Sequence, residues 1–446
     1  MTALPEMHGQ IAPPAVRRRR LYHGYLLLLL AGANALSYAD RQLFAILAPA
    51  IKAEFGFSDA QIGAIGGPAF MIPFVLFSLP AARLADRWSR RYVLAGSVAL
   101  WSGMTALCGM ANAGWHMAVA RMGIGMGEAG GSPPAQSVIA GSFPPALRSR
   151  ALSIFSSGTY IGVIASLWGG AAIAQALGWR AAFLFLALPG LAIAPAVLLT
   201  APRRSPDFAP SAAPPLMHVV RDLWRIPSFR FLALAAGLLG IFSYVASTWM
   251  PSYFVRSHGL SIMQTGFWIG VTGTLGGISG TVASGWLTDW LSPQDSRWQI
   301  RVPAIATLLS ALALTAVLLV PSGAMITIAG RQLPLVGLLS PFGALLTAIW
   351  MPASFAAVAN LVPPALRSQA AALLIIVLTV IGAGIGPMMA GLLSDALRAD
   401  LGEEALRYAM LISVSTLVVS AALFWRAADH YPFGLAAAGS ATHDRR

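Results

Sequence analysis

The sequence predicts an all-α polytopic membrane protein with twelve transmembrane helices arranged as two parallel six-helix repeats. Of its 446 residues, 57% are hydrophobic and only 10% are charged, and the mean hydropathy is +0.71. A soluble domain carries about 25% charged residues. A membrane-spanning helix needs about 20 mostly apolar residues. Stretches of that kind occur at approximately 22–51, 60–84, 91–111, 115–140, 148–174, 179–200, 229–255, 263–289, 301–321, 332–360, 367–395 and 405–427.

An internal repeat indicates how these helices are grouped. The sequence Pro-Pro-Ala-Leu-Arg-Ser occurs at 144–149 and again at 363–368, and each copy precedes a predicted span. The spans concerned are the fifth and the eleventh, so the two halves are expected to be parallel repeats. The predicted domains are an N-terminal arm, a first bundle, a linker rich in proline and arginine, a second bundle and a tail, at 1–21, 22–200, 201–228, 229–428 and 429–446.

The breaks between the spans carry residues that end or cap helices. They are Ser58-Asp59, Ser89-Arg90, Gly114, Pro144-Pro145, Gly178, Pro321-Ser322-Gly323 and Pro363-Pro364. Arginines are in excess on the side of the N-terminal arm, which predicts that both termini are cytoplasmic. Residues 17–35 imitate a signal peptide, but the apolar segment continues to Ile51, so we expect it to remain as the first span. The expected location is a bacterial inner membrane.

Four charges lie inside predicted spans. Asp40 and Arg41 are about 27–29 Å along helix 1 from its cytoplasmic end, at about 1.5 Å per residue. Helix 4 enters from the other face, which places Arg121 about 9 Å and Glu128 about 20 Å below that face. Four unpaired charges in lipid would cost on the order of 10 kcal/mol. We therefore expect these residues to pair with one another.

These pairs suggest a coupling function. Asp40 and Glu128 are the carboxylates that lie well inside a span, and their protonation would loosen the pairs with Arg41 and Arg121. Proton movement would then be coupled to alternating access. The simpler alternative is a static ion-pair network that fixes helix packing. A second duty of Arg41 and Arg121 would be to bind an anionic headgroup, because a guanidinium matches carboxylate and phosphate geometry.

The predicted second half carries polar aromatic and small polar residues in place of deep charges. Such a surface suits an amphiphilic substrate, although core packing or an interfacial belt would use the same aromatic residues. The residues expected to line a substrate cavity are Tyr38, Arg41, Arg121, Tyr160, Tyr244, Thr248, Trp249, Trp350 and Phe355.

Charged residues at the predicted cytoplasmic ends of the helices suggest a gate. We expect a latch that breaks when the two halves rock, although solvated topology signals would give the same pattern. The residues are Asp86, Arg87, Arg91, Arg148, Arg150 and Asp289.

Several function classes are disfavoured. Cys108 is the single cysteine, and the histidines fall in loops or at span ends, so we expect no metal site and no cofactor. No nucleophile-elbow or phosphate-cradling motif occurs, which disfavours an enzyme. Dispersed arginines disfavour nucleic-acid binding. A receptor or scaffold would not need buried titratable pairs. The expected partners are a small amphiphilic or anionic substrate, protons and the lipid bilayer, with the chain as a monomer.

The segment 82–91 resembles the cytoplasmic signature of the major facilitator superfamily, with Ala82 and Ser89 in place of its two glycines. A second-half copy at 285–289 keeps the glycine and the aspartate. Within that superfamily, 38–41 and 121–129 resemble the Spinster-like transporters, and 130–134 resembles their bacterial branch.

The resemblance implies the major facilitator fold, proton-linked gating at the four buried charges, and sphingoid or lysolipid cargo. The expected function is therefore a proton-coupled secondary transporter of an amphiphilic, lipid-like substrate. The alternatives are a proton-coupled symporter of a small organic anion and a drug-type efflux transporter.

Overall fold

Apolar stretches in a bilayer must satisfy their backbone hydrogen bonds internally, and this requirement selects helices. The computed structural model of the protein describes residues 14–202, 216–363 and 366–443. The helices of the first half are α1 (Pro14–Phe55), α2 (Asp59–Gly66), α3 (Pro68–Arg87), α4 (Arg90–Gly109), α5 (Gly114–Glu128), α6 (Ser132–Ser142), α7 (Pro145–Ile164), a π-helical turn (Ala165–Gly170), α8 (Ala171–Leu177) and α9 (Trp179–Thr200).

The second half repeats this pattern after a short helix in the linker. Its elements are α10 (Leu216–Trp224), α11 (Pro227–His258), α12 (Ile262–Val271), a π-helical turn (Thr272–Gly276), α13 (Gly277–Leu291), α14 (Trp298–Leu318), β1 (Met325–Ile328), β2 (Arg331–Pro334), α15 (Leu335–Ala348), α16 (Trp350–Asn360), α17 (Arg367–Leu401), a 3₁₀ turn (Gly402–Glu404) and α18 (Ala405–His443).

The predicted fold class is confirmed, and each predicted span overlaps one or more of these helices. Within the described residues, eight helical runs are long and apolar enough to cross a membrane. One of them, Gln369–Ala436, covers the predicted spans 11 and 12 together. The predicted spans 1, 4 and 8 are not among the eight. Spans 1 and 4 carry the four charges and span 8 is rich in glycine, serine and threonine, which lowers their hydropathy.

Three of the predicted spans consist of two helices each. Span 2 breaks at Gly67, where Pro68 starts α3, and span 4 breaks at 129–131 between α5 and α6. Span 10 is divided between α15 and α16. Helices 5 and 8 contain the π-helical turns, a feature that is frequent at functional sites. The breaks in spans 2, 4 and 10 were not predicted from the sequence.

The predicted span at 332–360 begins too early. Residues 331–334 form strand β2, which pairs antiparallel with β1 so that Met325 lies opposite Pro334. Ala329 and Gly330 make the turn with φ angles of 50° and 75°. The helix starts after Pro334, because positive φ angles and the strand pairing exclude a helix there.

Two interfaces bring the backbones of the two halves into close contact, and α1 also packs on α11. α2 lies so close to α17 that a side chain on Gly63 would overlap the backbone of Pro387. α12 lies equally close to the π-helical turn of helix 5, where Gly266 faces the carbonyl of Leu167. Both interfaces lie toward the end of the molecule at which α1 ends, here named the closed end.

At the opposite end, where α1 begins, the halves are apart. In the described part of the chain, α6 and α7 form no packed interface with α13 or α16. This end is named the open end. Parts of three predicted domains lie outside the described residues, namely 1–13 of the arm at 1–21, 203–215 of the linker at 201–228 and 444–446 of the tail at 429–446. α18 continues through most of the predicted tail.

We predict that Gly63→Ala lowers the thermal midpoint of the protein in detergent, because the added methyl group must push α2 away from α17. Gly103→Ala is the matched control, since a methyl group there meets open space. That control should be neutral or stabilising by about 0.5–1 kcal/mol. Equal midpoints for the two variants would contradict the close packing of α2 on α17.

Candidate functional site

A buried ion pair links α1 to α5. Asp40 and Arg121 are each 1% exposed. Nη1 of Arg121 donates to Oδ2 of Asp40 at 2.9 Å, and the Thr105 hydroxyl donates to Oδ1 at 2.8 Å. The guanidinium lies 4.8 Å from the ring centre of Phe44. Both oxygens of Asp40 are therefore occupied inside the first half.

A second pair links the same helices. Nε of Arg41 donates to Oε2 of Glu128 at 2.9 Å, and Nη2 pairs with the same oxygen. The Ser37 hydroxyl also donates to Oε2, at 2.7 Å. The pairing expected from the depth of the four charges is present as these two pairs. Removing one partner of a buried pair typically costs about 3–5 kcal/mol, because the other charge is left without compensation.

Arg41 differs from Arg121 in its exposure. Its side chain is 26% exposed, and its guanidinium lies 5.1 Å, 4.8 Å and 5.6 Å from the ring centres of Tyr38, Phe70 and Phe74. Aromatic faces attract a guanidinium by cation–π interaction. Arg41 thus pairs with Glu128 on one side and remains accessible on the other.

The accessible side of Arg41 faces a cavity of about 120 Å³ between the two halves. Ser247 of the second half also lines it and accepts a hydrogen bond from Gln42 at 3.2 Å. The lining residues are Tyr38, Arg41, Gln42, Phe44, Ala45, Gly66, Phe70, Met71, Arg121, Tyr244, Ser247, Thr248 and Ala383. We call this space the polar cavity.

A larger cavity of about 400 Å³ lies within the second half. Ser247 lines it too, so the two cavities adjoin. Most of its walls are apolar, with Ser243, Thr272, Ser340 and Thr347 as the other hydroxyl groups. The remaining lining residues are Phe242, Ala246, Met250, Phe254, Ile269, Gly273, Gly277, Leu314, Val317, Ala344, Ala348 and Trp350. We call this space the apolar cavity.

The residues predicted for a substrate cavity divide into two groups. Those that line one of the cavities are Tyr38, Arg41, Arg121, Tyr244, Thr248 and Trp350. Three others line neither cavity. Trp249 is fully buried and donates its indole N–H to the carbonyl of Pro387 at 2.9 Å. Phe355 packs against the hydrophobic core, and Tyr160 is 63% exposed.

The predicted gate residues lie at the open end. Arg87, Arg148, Arg150 and Asp289 are exposed, and none of these four forms an ion pair with another described residue. Arg148 donates instead to the carbonyl of Phe143 at 3.1 Å. Arg91 is half-buried. The side chain of Asp86 lies outside the described residues.

The sequence analysis missed a charge cluster at the closed end. Asp59, at the start of α2, is 2% exposed. Arg256 of the second half donates to both of its oxygens, at 2.9 Å and 2.8 Å, and Lys52 pairs with Oδ1. Ser394 donates to Oδ2 at 2.7 Å. We call these four residues with Asp395 the Asp59 cluster.

Asp395 completes the cluster by capping α2 from the other half. Its carboxylate accepts the backbone N–H groups of Asp59 and Ala60 at 2.9 Å and 2.8 Å. Negative charge at a helix N-terminus is stabilising. The sequence shows Ser58-Asp59 as a helix start, which the capping box of Ser58 and Gln61 confirms. The link to Arg256 has no local signal, since the two residues are far apart in sequence.

Comparison with known proteins assigns the family. A sequence model of the Major Facilitator Superfamily matches residues 30–387, and the chain belongs to this superfamily of membrane transporters. An MFS-type efflux pump of Mycolicibacterium smegmatis is 34% identical over 405 residues, which cover 90% of this chain and 92% of the pump. The hexuronate transporter of Bacillus subtilis is 26% identical over 68% of this chain and 74% of its own.

A solved structure has the same fold. The crystal structure of a bacterial homologue of the human lysosomal transporter Spinster, inward-facing and unoccupied, has a TM-score of 0.80. It covers 93% of this chain and 98% of its own, with 24% identity, and so supports the fold. The protein is therefore a multi-pass membrane transporter and not an enzyme, as the sequence predicted.

We predict that Asp59→Asn opens the closed end. The amide cannot balance Lys52 and Arg256, and their repulsion would separate the halves. The distance between spin labels at Ala53→Cys and Ala399→Cys, which are exposed at this end in opposite halves, should lengthen in part of the population. Cys108 is buried and should not take a label.

Asp400→Asn is the matched control, since it removes an exposed carboxylate near the same end. A label distance that is unchanged in Asp59→Asn would show that the Asp59 cluster does not hold the halves together.

Proposed function

We propose that the protein is a proton-coupled secondary transporter that moves a single-chain amphiphile with an anionic headgroup by alternating access. The observation that carries this proposal is the meeting of the two cavities at Ser247. One of them presents the guanidinium of Arg41, whose side chain is 26% exposed, and the other offers apolar walls.

The polar cavity suits the headgroup. The Arg41 fork matches the geometry of a phosphate or carboxylate, and the aromatic rings beside it shield it from water. Arg121 lines the same cavity but is 1% exposed and bonded to Asp40, so it adds positive potential and is not the first contact.

The apolar cavity suits the tail. Its volume of about 400 Å³ falls within the range of about 300–1,000 Å³ that is usual for small-molecule sites. Each methylene group buried there would contribute about 0.8 kcal/mol. The hydroxyl groups on the walls are few, which disfavours a substrate with many hydroxyls.

Coupling follows because Arg41 pairs with Glu128 on one side and can bind the headgroup on the other. An anionic headgroup competes with Glu128 for the same guanidinium, and protonation of Glu128 or Asp40 loosens the corresponding pair. A ligand that binds one conformation better shifts the population toward it. Binding at the junction of the halves would thus alter the balance between the closed and open ends.

The orientation of this cycle rests on the arginine distribution. With both termini cytoplasmic in a bacterial inner membrane, the open end faces the cytoplasm and the Asp59 cluster seals the outer side. We propose that Asp86, Arg87, Arg91, Arg148, Arg150 and Asp289 close the cytoplasmic side in the opposite state. We further propose that one monomer, with bundles at 22–200 and 229–428, performs the cycle.

Two other substrates fit parts of the site. A small organic anion would use the polar cavity alone, as the relation to a hexuronate transporter suggests. An apolar drug would use the apolar cavity alone, as the relation to an efflux pump suggests. The amphiphile is favoured because it uses both cavities at once.

The proposal is tested in proteoliposomes with a fluorescent lysophosphatidylglycerol, whose movement between leaflets is followed by extraction with albumin. We predict that a pH gradient accelerates this movement and that glucuronate is not transported. Gly277→Leu should slow the lysolipid, because the new side chain enters the apolar cavity without meeting the backbone.

Gly285→Leu is the matched control on the same helix, at a glycine that also faces open space but does not line the cavity. Gradient-driven transport of glucuronate without lysolipid movement would favour the organic-anion symporter. Equal lysolipid rates in Gly277→Leu and Gly285→Leu would contradict the tail site.

A further inference from the structure

The two oxygens of Glu128 have unequal surroundings. Oε2 accepts hydrogen bonds from Ser37 and Arg41. Oε1 accepts none from any described residue, although the Glu128 residue is only 4% exposed. A buried carboxylate oxygen without a partner loses the full benefit of hydrogen bonding. This oxygen therefore points to a ligand of its own.

A small cavity lies beside Glu128 inside the first half. The volume open to the centre of a water-sized sphere is about 10 Å³ there. A cavity needs about 10–15 Å³ of such volume to hold one water molecule, so this one is close to the lower bound. Asn34, Ser37 and Ser132 supply polar groups to its wall. The other lining residues are Leu30, Ala33, Leu94, Trp101, Gly131, Ala135 and Phe155.

The broken helix 4 places this cavity on the open-end side of Glu128. α5 ends at Glu128 and α6 begins at Ser132, which is exposed at the rim of the cavity. Because α6 runs toward the open end, Ser132 lies between that end and Glu128. The glycine at 131 keeps the break compact, since an added methyl group would come within 3.1 Å of the Trp101 ring.

We propose that this cavity is a hydration site through which a proton reaches Oε1 of Glu128 from the open end, by a route separate from the substrate cavities. The inference rests on the proposed proton coupling and assigns the proton to one of the two buried carboxylates. Glu128 lines neither the polar nor the apolar cavity, whereas its partner Arg41 lines the polar cavity.

The surroundings of the two carboxylates distinguish them. The charged groups that act most strongly on Glu128 are Arg41 and Asp40, both from α1. α4 and α7 contribute the uncharged Trp101 and Phe155 to its surroundings. Asp40 has both oxygens bonded, to Arg121 and Thr105, and lines none of the three cavities. Only Glu128, of these two, combines an unpartnered oxygen with a space for water.

The separate route explains how a proton and an anion could bind together. A proton delivered by water forms an O–H bond at Oε1 and removes the charge of the carboxylate. Arg41 keeps its own charge and becomes available to the headgroup on its other side. One anion then takes the place of one carboxylate charge, so the site never holds an uncompensated cation.

The test fills the small cavity by substitutions at uncharged residues, so that every charged residue is kept. Ala135→Val and Ala33→Val add carbon atoms to the lining of the cavity from two different helices, α6 and α1. Ala182→Val is the control, at an equally buried alanine of α9 that lines none of the three cavities. Each variant is assayed in proteoliposomes for pH-driven movement of fluorescent lysophosphatidylglycerol and for its exchange with unlabelled lipid at equal pH.

We expect the two cavity variants to lose gradient-driven acceleration by about tenfold or more, a barrier increase of about 1.4 kcal/mol. Exchange at equal pH requires no net proton transfer and should stay within about twofold of the wild type, which also shows that the variants are folded. Acceleration in both cavity variants equal to that in Ala182→Val would overturn the route. A wild-type protein that ignores the pH gradient would instead overturn the proposed coupling itself.

Discussion

The constraint on which the rest of the first half depends is the burial of four charges between α1 and α5. Each would cost about 2.5–3.5 kcal/mol alone near the bilayer centre, and pairing offsets this only if the geometry is kept. Asp40 and Arg121 form a pair in which each residue is 1% exposed. Arg41 and Glu128 form a pair that borders the polar cavity through Arg41 and a small internal space through Glu128. The second pair is therefore the one that solutes can reach.

The contacts between the halves are concentrated at the closed end. There the Asp59 cluster joins α2 to α11 and α17, and glycines such as Gly63 and Gly266 bring backbones into direct contact. The open end has no comparable interface among the described residues. A rocking motion about the cavities would separate the halves at the closed end and bring them together at the open end. The buried pair of Arg41 and Glu128 lies beside the junction of the halves, where such a motion would act on it.

The fold and the buried charges could be predicted from the sequence because hydropathy and burial cost are local properties of each helix. The pairing followed from depth alone. The Asp59 cluster could not be predicted, since its partners meet only when the halves pack. The direction of the Trp249 side chain depends on the rotation of α11, which the sequence does not encode locally. The hairpin at 325–334 could not be distinguished by hydropathy from the start of a span, because it contains apolar residues.

The central claim is that protonation of Glu128 controls the relation between the halves. It is tested most directly by the distance between spin labels at Trp88→Cys and Gln294→Cys, at the open end, in lipid nanodiscs at acidic and at alkaline pH. The account predicts that the wild-type distance changes with pH and that Glu128→Gln keeps the acidic distance at both values. A Glu128→Gln protein whose distance follows pH as the wild type does would contradict it.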